Sequence, residues 1–234
     1  MTVRLTHTSH GAPPQLLGIE IDDNGRAAGW QTFGYRVGRF GRELSARERT
    51  ALARALSSAG DADAGRAPEA AHRAVRPGGA TEQLIADGLR DVVLDANGTP
   101  PAGFADLIGM LLTLREDLAE SPLAAIELAV SGSPLGARLR HVGFETVAVR
   151  MGTLTLRATL FGRDSAIVDS ATHTVDASGV HGPVGSEWEL PLAENLGLAA
   201  PRQGGFLTVT VGTPEVDALG DGVLRPAEFS WMTE

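Results

Sequence analysis

From residue 124 onward the chain is a series of short runs rich in β-branched residues and cut by glycine and proline. They read AAIELAV, ARLRHV, ETVAVR, TLTLRATL, AIVDSATHTV, EWEL and FLTVTVG. This texture constrains the fold more than any other feature. In TLTLRATL, residues Leu154, Leu156, Ala158 and Leu160 recur at every second position, which places them on one face of a strand. About seven such strands predict an all-β sandwich or open barrel over residues 123–234.

The first 122 residues read differently, as an α+β module of hairpins plus two helices. TVRLTHT (2–8) alternates as a strand does. LLGIEI (16–21) and WQTFGYRV (30–37) flank Asp22-Asp23-Asn24-Gly25, where Asn-Gly offers the positive φ angles of a tight turn. Ser45 and Glu48 form a capping box that predicts a helix over 45–59, with Leu52 and Leu56 on its apolar stripe. Residues 60–80 lack periodicity and predict a mobile linker. TEQLIA and LRDVVLD flank Asp87-Gly88 as a second hairpin. Thr99 as cap and Pro100 in the first turn predict a second helix over 102–119. Its buried face would carry Phe104, Leu107, Ile108, Leu111, Leu112 and Leu118.

Composition removes whole classes of chemistry. All 20 basic residues are arginine and there is no cysteine. Schiff-base lysines, a P-loop lysine, thiolate nucleophiles, disulfides and cysteine-held metals are therefore excluded. Arginine without lysine is also what a very GC-rich genome encodes, which points to a bacterial source. The N-terminal MTVRLTHTSHGAPP has no apolar stretch of a secretory signal. No window approaches a membrane helix, so a cytoplasmic protein is expected. The net charge of −9 is unevenly spread: residues 1–80 carry 11 Arg and 8 acids, and residues 81–234 carry 9 Arg and 21 acids. The acidic second part argues against nucleic-acid binding, which needs clustered positive charge.

Several residue groups qualify as candidate sites. His7 and His10 are three apart, so a strand would point them to opposite faces and a metal would need further ligands. Arg36, Arg39, Arg42, Arg47 and Arg49 bracket a hairpin end and a helix start. Arginine forks there suit an anion or an acidic partner protein, with a solvated basic face as the plain alternative. Asp217, Asp221, Gly222, Leu224 and Glu228 match positions of a calcium loop, but Leu219 supplies no ligand at the third position and no helix precedes it. The segment reads first as an acidic loop between two final strands, with Ca²⁺ binding as the alternative. His141, His173, His181, Asp169, Asp176, Glu187 and Glu189 are available for acid–base work but match no catalytic spacing. Trp188 and Trp231 lie in strand-like stretches, either as core or as anchors for a partner.

The order strand, helix starting RELSARERTALARAL, hairpin and closing helix PPAGFADLIGMLLTL resembles the small emfourin-type protein inhibitors of thermolysin-like metalloproteases. The likeness covers residues 1–118 and rests on element order. It implies an inhibitory, protein-binding role for that half and assigns no inhibitory residues.

The sequence thus predicts an α+β module (1–122) followed by a β-sandwich-like module (123–234). With no catalytic constellation and two modules of contrasting charge, it predicts a non-enzymatic protein-binding module, an inhibitor or an assembly component, with no resident cofactor. The alternative is a small-molecule-binding protein or enzyme with a pocket in the β part that uses His, Asp or Glu.

Overall fold

A computed structural model of the chain describes residues 2–9, 15–64, 79–96, 98–132, 135–145, 153–176, 185–190, 205–218, 221, 223 and 225–232. The elements run in chain order β1 (Val3–Ser9), β2 (Leu16–Ile21), β3 (Arg26–Gln31), β4 (Phe33–Gly34), β5 (Arg36–Glu43), α1 (Ala46–Asp63), β6 (Ala80–Ala86), β7 (Val92–Asp95), α2 (Ala105–Leu118), β8 (Pro122–Gly132), β9 (Leu135–Gly143), β10 (Thr153–Phe161), β11 (Ile167–Asp176), β12 (Glu187–Leu190), β13 (Phe206–Val216) and β14 (Arg225–Met232). The protein is mostly β with two helices. It forms two compact units, Met1–Trp30 with Phe40–Pro122, and Gln31–Arg39 with Leu123–Glu234.

In the first unit, β1 pairs antiparallel with β2 on one side and β6 on the other, and β7 continues beyond β6. Val3 and Leu5 of β1 and Leu84 and Ala86 of β6 alternate inward and are almost fully buried. Helix α2 packs on β1 and β2, and α1 packs on α2. Phe104, Leu107, Ile108, Leu111, Leu114 and Leu118 fill the space beneath α2. Leu114 therefore stands where the sequence reading put Leu112, which is only half-buried.

The capping box of α1 forms as its residue types require. Ser45 Oγ accepts from Glu48 N, and Glu48 Oε2 accepts from Ser45 N at 2.7 Å. The helix runs to Asp63, further than expected; the rest of the expected linker, 65–78, lies outside the described residues. Helix α2 corrects its prediction. It starts at Ala105 with Phe104 at the cap and no side-chain capping bond, so Thr99 does not cap it. Pro101 and Phe104 instead close a turn, with Phe104 N donating to Pro101 O. The turn after β2 also differs. Only Gly25 has positive φ, while Asp22 Oδ1 accepts from both Asn24 N and Arg26 N, a local bond that sets the turn.

The second unit has two sheets. One has the order β12-β9-β8-β5, with β5 contributing its Arg36–Arg39 end; the other has the order β11-β10-β13-β14-β4. Ile126, Leu128 and Leu139 from the first meet Leu154, Leu156, Val209, Val211 and Phe229 from the second in one core. Among the described residues the two sheets share that core face to face. The expected count of about seven strands is corrected to nine among the described residues, because β4 and the start of β5 join from the N-terminal half. Most of ETVAVR (145–150) lies outside the described residues. Gly38 marks where β5 meets β8: its φ is +148°, and a Cβ there would run into the Ala124 carbonyl and Ala125.

Candidate interaction surface

The first unit buries one polar cluster. Glu82 on β6 is 5% exposed, and it lies on the inward parity of TEQLIA with Leu84 and Ala86. Its neighbour across β1 is His7, whose Nδ1 sits 3.0 Å from Glu82 Oε1. Arg115 of α2 completes the group, with Nη1 and Nη2 each 3.1 Å from a different Glu82 oxygen. Burial pushes the Glu82 carboxyl up; the bonds from His7 and Arg115 outweigh it and leave the group below the usual carboxylate range. The cluster is held together from three elements and is consumed internally. His10, the other half of the predicted pair, lies outside the described residues.

Of the arginine series, Arg36 and Arg39 belong to the second unit and Arg42, Arg47 and Arg49 to the first. Arg36 Nε donates to Glu127 Oε2 at 2.6 Å, and Arg140 reaches the other oxygen at 2.7 Å. Burial raises the Glu127 carboxyl, but Arg36 and Arg140 hold it below its ordinary value. Arg39 pairs with Glu145 at 2.8 Å. Arg42 forks onto Glu48, at 3.0 and 2.7 Å, and Arg49 donates to the Leu44 carbonyl. Arg47 stands exposed on α1. Most of the guanidinium charge is therefore already matched by carboxylates of the same unit.

The acidic segment near the C-terminus is organised by arginine. Arg225 Nη1 and Nη2 grip Asp221 Oδ1 and Oδ2 at 2.8 and 2.7 Å, and Val223 N also donates to Oδ1. These bonds hold the Asp221 carboxyl far below its usual range. Asp217 is half-buried, and Glu228 lies on β14 in register with Gly212 and Phe33. Leu219, Gly222 and Leu224 fall outside the described residues. Among the described residues no three His, Asp or Glu side chains gather closely enough to hold a metal ion.

The acid–base candidates are dispersed. His141 is 1% exposed, with neither ring nitrogen hydrogen-bonded to a described group, beside a cavity of about 10 Å³ that Asp217 also lines. Such a space holds about one water. Glu187 pairs with Arg138 at 3.5 Å, and Glu189 faces Arg138 in register. A shallow recess of about 140 Å³ lies there, below the ~300 Å³ at which small-molecule pockets begin. Asp169, His173 and Asp176 lie along β11, and His181 lies outside the described residues. Trp188 and Trp231 are both half-buried against the sandwich core, where they act as packing residues.

What remains open is an edge. β11 pairs with β10 on one side and stands last in its sheet, so among the described strands nothing pairs with its other side. It is ten residues long, whereas β4 at the opposite edge has two. Ile167 and Val168 are 66% and 65% exposed, and Ser170, Thr172 and Thr174 are exposed on the outer face. An edge strand of this length presents roughly five outward N–H and five C=O groups; Ser170 N already donates to Asp169 Oδ1 at 2.8 Å. The strand IVDSATHTVD carries no lysine, arginine or proline of the kind that guards natural edges.

Sequence reasoning missed Glu82 and Glu127, the two carboxylates at the centres of the buried networks. Glu82 had a visible signal, a charge on the apolar parity of a strand; Glu127 had none, since alternation assigns it to the solvent face. Among the described residues no helix is long and apolar enough to cross a membrane. No protein-family model and no curated protein matches the chain.

Proposed function

We propose that this chain is a non-enzymatic protein-binding module that recognises its partner by strand addition at β11. The observation that carries this reading is the ten-residue, partly apolar edge of the second unit's sheet, which no described strand pairs. Strand addition takes affinity from main-chain hydrogen bonds and specificity from alternate side chains, and β11 offers both. The polar groups that a pocket-based function would use are placed apart: His141 in the core, Glu187 on an ion pair, Asp169 and His173 on the open strand.

The test is a comparison of capture by the native chain and by a chain with a lysine-guarded edge, Val168→Lys, Thr172→Lys and Thr174→Lys. These exposed positions tolerate charge without touching the core. Binding by the native chain that the guarded chain loses supports the reading. Equal binding by both contradicts it. The inhibitory role that the resemblance of residues 1–118 implies is a separate arm, read as inhibition of a thermolysin-like protease.

A further inference from the structure

We infer that the partner at this edge is a second copy of the chain, with β11 pairing antiparallel to β11 in the register centred on Ala171. This rests on the reading of β11 as the recognition edge. A two-fold axis that joins two sheets without exchanging their faces must pair residues of equal parity, so it passes through a residue and not between two. The register centred on Ala171 sets Asp169 against the partner's His173, and by symmetry His173 against the partner's Asp169. It also sets Ser170 against the partner's Thr172. A carboxylate then meets an imidazole donor twice, and hydroxyls meet between them. Centring on Thr172 instead places Asp169 against valine, and centring on His173 places the imidazole against itself.

The geometry of the edge favours this occupant. Asp169 and His173 fall on the inward parity of β11, in register with Leu160 and Leu156 of β10. A charged group on that side of an edge ordinarily deters pairing. Self-pairing in this register answers each such group with its complement. Residues 169–176 pair regularly with β10, and the one register shift lies at Leu160/Phe161, toward the Ile167 end. The central pairs therefore sit on an undistorted strand.

The experiment is a charge-exchange cycle read by sedimentation of the full chain. Along one strand, positions 169 and 173 are about 13 Å apart, too far for direct contact within a chain. Asp169→Lys removes the acceptor opposite His173, and His173→Glu sets two carboxylates face to face. Each single change is expected to weaken the dimer about tenfold or more. The double change Asp169→Lys with His173→Glu restores a complementary pair only across two copies, so it is expected to recover dimerisation. Far-ultraviolet circular dichroism and the melting temperature of each variant identify a fold defect. A native chain that stays monomeric at high concentration overturns the inference, as does a dimer indifferent to both single changes. A monomer that still captures another protein through β11, and loses it in the lysine-guarded chain, overturns self-pairing while leaving the protein-binding reading intact.

Discussion

Glu82 and Arg115 stand carboxylate to guanidinium between β6 and α2, with both oxygens engaged at 3.1 Å. The pair is nearly sealed from solvent, and His7 supplies the third bond. Removing one partner of a buried pair leaves an uncompensated charge, at a cost of about 3–5 kcal/mol. Glu82→Ala is therefore expected to destabilise the first unit by that amount in denaturant melts. The double change Glu82→Leu with Arg115→Met removes both charges and is expected to recover most of the loss. A single change that costs under about 1 kcal/mol contradicts the role assigned to the cluster.

Glu48 ties the start of α1 by bonds to both Ser45 N and the Arg42 fork. Those bonds, Arg42's foremost, lower its carboxyl to about 2. A lowered carboxylate stabilises the fold above its unfolded value near 4.5, and that stability is lost as pH falls toward 2. Glu48 is partly exposed, so solvent screening reduces the effect to about 1 kcal/mol. The melting-temperature gap between the native chain and Glu48→Gln should be full at pH 6 and close at pH 2. A gap constant across that range contradicts the linkage.

Much of the architecture was legible because it is written in local patterns. The S-x-x-E box and the period-two leucines of β10 each act through near neighbours, and each formed as read; the Asp87-Gly88 turn also forms, but β7 begins only at Val92, so the connection is longer than the two residues expected. The errors arise where distant residues decide. Thr99 is a good cap by type, but the turn through Pro101 and Phe104 takes the chain into α2. Gln31–Arg39 packs with the second unit, which depends on Glu228 N reaching the Thr32 carbonyl and on Leu128 N reaching that of Tyr35. No local signal encodes partners about 90 to 200 positions away. The arginines were found as a series, but their carboxylate partners Glu127 and Glu145 are about 100 residues off in sequence. The exposed edge of β11 was unreadable for the same reason, since a strand's place in its sheet is set by pairing.

Asp221 is gripped by the Arg225 fork, so the one acidic loop resembling a calcium site already carries an internal cation. Millimolar calcium is expected to leave the melting temperature unchanged, and Arg225→Ala is expected to lower it modestly. A rise with calcium that Asp221→Ala abolishes would restore the metal reading.

His141 is buried with both ring nitrogens unpaired among the described groups. An unsatisfied polar group in a core costs about 1–3 kcal/mol. His141→Leu, of similar volume, is expected to stabilise the second unit by an amount in that range, measured by thermal unfolding. Destabilisation by 1 kcal/mol or more would show that the imidazole has a partner worth keeping.

The central claim is that the outer edge of β11 is a recognition surface filled by a second copy. Amide hydrogen exchange reads it residue by residue. At high protein concentration the outward-facing amides of Ala171–Val175, which alternate with those bonded to β10, should exchange slowly in the native chain and rapidly in Asp169→Lys. If those amides exchange as fast in the native chain as in the lysine-guarded variant, the edge is open and the account is wrong.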